Sequence, residues 1–230
     1  SEFFLNLYAY PVKSTDLITA GHEVASEQFK FAGDFFARPA LKDNELKVAR
    51  TDKRINFTAG EIKGEFDIQR AQFISYTLDG KKMIGGFPEP YFWRAPTDND
   101  WGNKMQNVSG IWRTAHNNLT VKDVDVKEKD GEVGVKVDYV FGFNNAAYTL
   151  LYTFLKDGSL KVESSIKADS KGLPEMPRFG MRLDLDKSYQ NLQYYGRGPW
   201  ENYEDRKHAS QIGIYSDLTK NQKVDYIRPQ

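Results

Sequence analysis

Apolar and polar residues that alternate in runs, with Asp-Gly pairs between the runs, constrain this chain more than any other feature. From Val133 to Phe141 the apolar residues Val133, Val135, Val137, Tyr139 and Phe141 take every second position, which is the period of a strand with one buried and one wet face. A helix of about 3.6 residues per turn would scatter them around its circumference. Leu119 to Val126 alternates as well, and Asp130-Gly131 between the two runs has the composition of a two-residue hairpin turn. The parity slips between Val121 and Val124, which predicts a bulge there. The same turn signal recurs at Asp157-Gly158, between Ala147–Leu155 and Leu160–Ala168, and at Asp79-Gly80, between Gln72–Leu78 and Lys82–Ile84. Further strands are expected at Phe3–Tyr10, Arg54–Ala59, Glu65–Gln69, Phe179–Leu185, Leu192–Tyr195 and Gln211–Tyr215. Only Ser109–Asn117 reads as a short helix, and Gly60, Gly64, Gly85 and Gly86 read as turn glycines. So many short strands with turn chemistry between them predict an all-β, large antiparallel sandwich.

Charge narrows the partners. Lys plus Arg and Asp plus Glu are balanced at 32 each over 230 residues, so no basic excess draws the chain to nucleic acid or to an anionic membrane surface. No apolar run approaches the roughly 20 residues of a spanning helix. The chain holds no cysteine, which excludes disulfides, thiolate metal sites and a Cys nucleophile. Its three histidines, His22, His116 and His208, are too far apart for a ligand spacing such as H-x-x-x-H, so no metal site is expected. Aromatic residues reach 14%, which suits pleated sheets and equally suits flat sugar-binding surfaces.

Ser1–Tyr10 carries neither a cationic leader nor a small-residue cleavage site, so no targeting signal is read there. Ala32–Asp43 loses the alternation and contains Gly33, Pro39 and Asp43-Asn44, which marks a boundary between a short amino-terminal piece and the main domain. The chain stops at Gln230 directly after an apolar segment, and a second boundary is therefore expected beyond it.

Two segments are dense in chemistry. Phe87–Gly102 has prolines at 88, 90 and 96, aromatics at 87, 91, 92, 93 and 101, and then Asp98-Asn99-Asp100. Prolines remove ladder donors, so this is a rigid loop or sheet edge. It either presents rings and carboxylates to a sugar or caps its own backbone amides with its aromatics buried. In Tyr194–Arg206, Glu201 and Asp205 are four apart and could serve as the two carboxylates of a glycosidase. Gly196, Gly198 and Pro199 instead argue for an irregular loop in which Arg197 and Arg206 pair with both acids.

Three segments in order along the chain resemble the carboxy-terminal part of glycoside hydrolase family 2 β-galactosidases. Ala20-Gly-His-Glu-Val-Ala-Ser-Glu-Gln-Phe29 is similar to that family's A-G-H-x-x-A-x-x-Q exit from its last immunoglobulin-like domain. Phe92-Trp-Arg-Ala-Pro-Thr-Asp-Asn-Asp-Trp-Gly102 is similar to the R-A-P-x-D-N-D-x-G hallmark of the following small-chain domain. Gly196-Arg-Gly-Pro-Trp-Glu-Asn-Tyr-Glu-Asp-Arg206 is similar to the G-x-G-P-x-E-N-Y-x-D-R hallmark of that same domain.

The resemblance implies a galactose-mutarotase-like supersandwich over 33–230, truncated at its carboxy terminus, preceded at 1–32 by the last strands of the immunoglobulin-like domain. It implies that the two catalytic glutamates and a magnesium site belong to a central barrel of a bacterial parent enzyme, which also has a candidate sodium, and not to this chain. A sugar-stacking tryptophan would follow later in the parent. Asp98, Asn99, Asp100, Gly102 and Asn103 then lie on the substrate side, with a mobile loop running from Gly102 through Asn103, Lys104, Met105, Gln106 and Asn107. Arg94, Arg197, Glu201, Asn202, Tyr203, Asp205 and Arg206 make up the structural motif. Implied partners are a β-galactoside, the rest of the parent chain and a second copy in a homo-oligomer. The resemblance leaves the compartment open between cytoplasm and periplasm. A stand-alone carbohydrate-binding or mutarotase-like module and a purely structural interaction domain remain as alternatives; a mutarotase would need an acid and a base converging on the anomeric oxygen.

Overall fold

The computed structural model describes residues 2–34, 45–143, 146–168, 172–199, 202 and 207–222. Every strand pairing in it is antiparallel, and the chain is all-β apart from short helical turns. In chain order, β1 (Glu2–Ala9) returns on β2 (Ala25–Gly33). A meander follows through β3 (Leu46–Arg50), β4 (Arg54–Ala59), β5 (Ile62–Asp67), β6 (Gln72–Leu78) and β7 (Lys81–Lys82). β8 (Gly86–Tyr91) leads to helices α1 (Asp98–Gly102) and α2 (Met105–Val108). A second meander is built from β9 (Leu119–Lys129), β10 (Glu132–Phe141), β11 (Ala147–Phe154) and β12 (Leu160–Lys167). Last come β13 (Gly180–Asp184), which pairs with β8, and the hairpin of β14 (Asn191–Gly198) and β15 (Gln211–Leu218).

Contacts divide the chain into two units, Ser1–Ala40 with Ser188–Val224, and Leu41–Lys187 with Asp225–Gln230. The second unit is a sandwich. Ile55, Phe57 and Ala59 of β4 and Tyr148, Leu150, Tyr152 and Phe154 of β11 are buried at every second position, so each sheet turns one face inward. Phe57 stacks on Phe154 with ring centroids 4.8 Å apart, and Tyr152 meets Phe73 edge-on at 5.2 Å. Two tyrosine hydroxyls also span the sandwich: Tyr139 donates to the carbonyl of Ala71 at 3.0 Å and Tyr76 to that of Gly158 at 2.9 Å.

Two of the Asp-Gly pairs form two-residue turns with both φ angles positive, Asp79 at 50° with Gly80 at 72°, and Asp130 at 55° with Gly131 at 75°, the combination that matches strand twist in a tight hairpin. The predicted slip also appears: opposite Asp138 and Tyr139 the partner jumps from Asp123 to Val121, leaving Lys122 as the extra residue. Asp157-Gly158 differs from the two-residue expectation. Leu155 N donates to Ser159 O and Gly158 N to Leu155 O, both at 2.9 Å, so the loop is three residues long with only Gly158, at φ 86°, left-handed. Asp157 accepts from Ser159 N at 2.9 Å and so holds a turn of the bulged type.

Other expectations are corrected. The strand read at Glu65–Gln69 begins at Ile62, because Gly60, with φ 59°, already turns the chain after Ala59. Gly64 is no turn residue. It sits inside β5, where an added Cβ would come within 3.2 Å of the Phe154 ring. Gly85 and Gly86 likewise lie against Asp184. The single helix read at Ser109–Asn117 is instead two 3-10 turns, Gly110–Arg113 and Ala115–Asn118. Ser109, Trp112 and Ala115 are buried at intervals of three, the 3-10 repeat and not the α one. Strands β2 and β3 went unread, and most of the aperiodic stretch Ala32–Asp43 lies outside the described residues, as does Tyr226–Gln230.

Phe154 packs against both Phe57 and Tyr76, with ring centroids 4.8 Å and 6.4 Å away. Replacing Gly64 with Ala should therefore destabilise the chain by about 1–3 kcal/mol, the range of core overpacking. Urea unfolding checks this: the midpoint should fall at an unchanged slope, and an unaltered midpoint would show that the ring yields.

Candidate functional site

Strand β8 contains Pro88 and Pro90 and, among the described residues, pairs with β13 alone, as an edge strand poor in donors must. Just beyond it Phe92 is buried, its ring 5.6 Å from those of both Phe141 and Tyr148 and 5.9 Å from Trp112. Trp112 is fixed in turn, its Nε1 donating to the carbonyl of Pro174 at 3.0 Å. Aromatic packing thus pins the backbone immediately before Arg94.

Arg94 is joined to Asp100 by a forked ion pair, Nη1 to Oδ2 and Nη2 to Oδ1, the second bond at 3.0 Å. Thr97 is the N-cap of α1. Its backbone N donates to Asp100 Oδ2 at 2.7 Å, and its hydroxyl accepts from Asp100 N at 3.3 Å, which makes a reciprocal capping box. The Arg94 hydrogen bonds, with those from Thr97, hold the Asp100 carboxyl down at about 2, so it is an acceptor with its lone pairs occupied and a poor proton donor. Asp98, Asn99, Gly102 and Asn103 are exposed, and Trp101 is 54% exposed beside them. The T-D-N-D stretch therefore alternates in task, with one acid turned inward and one outward.

After α1, Lys104 takes a left-handed conformation with φ 57°, and α2 begins at Met105, whose side chain is buried. The implied mobile loop Gly102–Asn107 thus contains a core residue. Arg94, Asp100, Asn103, Ser109, Glu175 and Met176 line a cavity of about 300 Å³ at this corner.

The second motif lies in the other unit. Arg197 Nη1 donates to Lys207 O at 3.1 Å and to Ser210 O at 2.9 Å, and the Asn202 side chain donates to Arg197 O at 3.4 Å. Arg197 serves main-chain carbonyls here. Glu201, Tyr203, Asp205 and Arg206 lie outside the described residues. Among the described residues no three His, Asp or Glu side chains converge as metal ligands. Thr97 and Phe92 were missed as site-forming residues, though T-x-x-D ahead of a short helix is a legible capping signal.

The sequence matches the family described as the β-galactosidase small chain over residues 58–230. A β-galactosidase of Priestia megaterium is 35% identical over 231 residues, covering 100% of this chain and 22% of that protein. A β-galactosidase of Halalkalibacterium halodurans is 32% identical over 213 residues, covering 91% of this chain and 21% of that protein. The chain thus spans about a fifth of the length of these curated relatives.

The capping geometry fixes a pH dependence. Asp100 titrates at about 2 when folded against an ordinary 3.8, so its stabilising contribution is fully present above the ordinary value and is lost as pH falls through the folded one. Asp100→Asn should remove that dependence between about pH 4 and 2, and Thr97→Ala should cost ~0.5–2 kcal/mol at neutral pH, the range for a lost N-cap. Acid titration of urea stability measures both. Equal acid sensitivity in the parent sequence and in Asp100→Asn would assign the sensitivity to other groups.

Proposed function

The chain belongs to the β-galactosidase small-chain family, and on that premise we propose that it is a non-catalytic part of a retaining β-galactosidase, walling the sugar site and packing on the catalytic barrel. The observation that carries this reading is the division of labour within T-D-N-D: Arg94 and Thr97 engage Asp100, so Asp98 and Asn99 stand outward on a rigid base. An outward carboxylate accepts hydroxyl hydrogens, an amide both donates and accepts, and the neighbouring exposed Trp101 offers a ring to the apolar face of a pyranose. Because that base is already ordered, little conformational entropy is lost when a sugar settles against it.

In this reading residues 1–32 close the preceding immunoglobulin-like domain and 33–230 open the small-chain domain. The two carboxylates of double displacement, nucleophile and acid/base, lie in the barrel outside this chain. The mobile loop at the rim begins at Gly102 and runs through Asn107, with Asn103 and Lys104 exposed ahead of the buried Met105.

The isolated 230-residue chain should show no hydrolysis of a chromogenic β-galactoside above the buffer blank. In the full-length enzyme, Asp98→Ala and Asn99→Ala should each raise KM about tenfold, roughly 1.4 kcal/mol of binding, at unchanged melting temperature. Asp100→Ala should lower the melting temperature first. Turnover by the isolated chain that survives repurification would overturn the non-catalytic assignment and turn attention to Glu201 and Asp205. Tight galactose binding by the isolated chain would favour a stand-alone module.

A further inference from the structure

Gln28 closes the A-G-H-x-x-A-x-x-Q segment, and neither the sandwich nor the sugar-facing loop gives it a task. In the unit formed by the chain's two outer parts, its side-chain amide grips a single residue of β15. Nε2 donates to Ile212 O at 2.8 Å, and Ile212 N donates to Oε1 at 2.7 Å. A neighbouring strand would offer the same donor and acceptor to that residue; here one side chain does so. Ile212 stands opposite Arg197 in the β14–β15 ladder, and Arg197 holds the carbonyls of Lys207 and Ser210. Ser210 is among the most deeply buried polar residues, at 1% exposure. Flanking bonds share the contact: the Tyr8 hydroxyl donates to Gln211 Oε1 at 2.9 Å, and the Tyr195 hydroxyl donates to Glu2, which also pairs with Lys30.

We infer that Gln28 is a positioning residue that docks the β1–β2 hairpin on the edge of β15 and, together with Arg197, fixes the facing ends of β14 and β15. Two of the recognised segments, far apart in sequence, are thereby coupled through the backbone of one residue, Ile212. The chemistry is specific to glutamine. Glutamate of the same length lacks the donor, methionine fills a similar volume with neither donor nor acceptor, and asparagine is one carbon shorter. The surface so defined accepts an extended strand edge, and its occupant is this chain's own hairpin.

Amide hydrogen exchange of the whole chain, resolved by residue, tests the assignment without depending on a single variant. In the unmodified chain the Ile212 amide should be protected. In Gln28→Met its exchange should accelerate by roughly tenfold or more, the effect of losing hydrogen bonds at one site, and the amides of 191–198 should follow. Gln28→Glu at neutral pH keeps an acceptor for Ile212 N–H and should restore protection at that amide. Amides of β10 and β11 should be unaffected in both variants. An Ile212 amide that exchanges at the unstructured rate in the unmodified chain would overturn the inference. So would a Gln28→Met variant in which Ile212 stays fully protected, since bulk alone would then suffice. If Gln28→Met does not fold, the unmodified chain and Gln28→Glu still decide the matter.

Discussion

The stacking of Phe57 on Phe154 across 4.8 Å sets the conditions for most of the larger unit. Both rings reach the interior only because β4 and β11 keep strict alternation, and a one-residue slip in either would turn its buried set to solvent. The two-residue turns at Asp79-Gly80 and Asp130-Gly131 align β6 with β7 and β9 with β10, and β10 in turn pairs with β11. The bulge at Lys122 restores parity after the drift in β9. From this layer the aromatic contacts run on through Tyr148 and Phe141 to Phe92 and Trp112, so that the chain enters the T-D-N-D turn from a fixed point.

How much of this was legible follows from the range of the forces involved. Asp-Gly turns and period-two alternation are local, and β4, β6, β9, β10 and β11 could be read from them to within a few residues. Strand β2 offers only Phe29 and Phe31 at alternate positions, too short a run to read, and β3, Leu46–Arg50, is a short run beside an aperiodic stretch. The Asp157-Gly158 loop was misjudged by one residue: its length is set by Ser159 bonding back to Leu155 and to Asp157, which dipeptide identity does not reveal. The region after Ser109 read as helix because three-residue and four-residue repeats look alike over so few positions.

At the site, the sequence showed that Phe87–Gly102 would be stiff and acid-rich, but not which acid would turn inward. That choice depends on Arg94 lying within reach of Asp100, and on Thr97 accepting one hydrogen bond while its own N–H gives another to the same carboxylate. The meeting of Gln28 with Ile212 was beyond sequence reading altogether. It joins residues on two separate hairpins through a side chain and a backbone, a pairing that leaves no residue-type signature on the backbone side.

An amide gripping the backbone N–H and C=O of one residue differs from a ladder in a way that matters for alignment. A strand slides past its neighbour only by breaking every bond at once, whereas the Gln28 amide would meet the same donor and acceptor two residues further on, at Ile214, which has the same parity on β15 as Ile212. The grip alone thus has no preferred notch. The notch is cut by Tyr8 on Gln211 and by Glu2 on Tyr195, two contacts that such a slide would pull apart together. They act like the marks of a vernier, fixing a position that the stronger grip by itself would leave free.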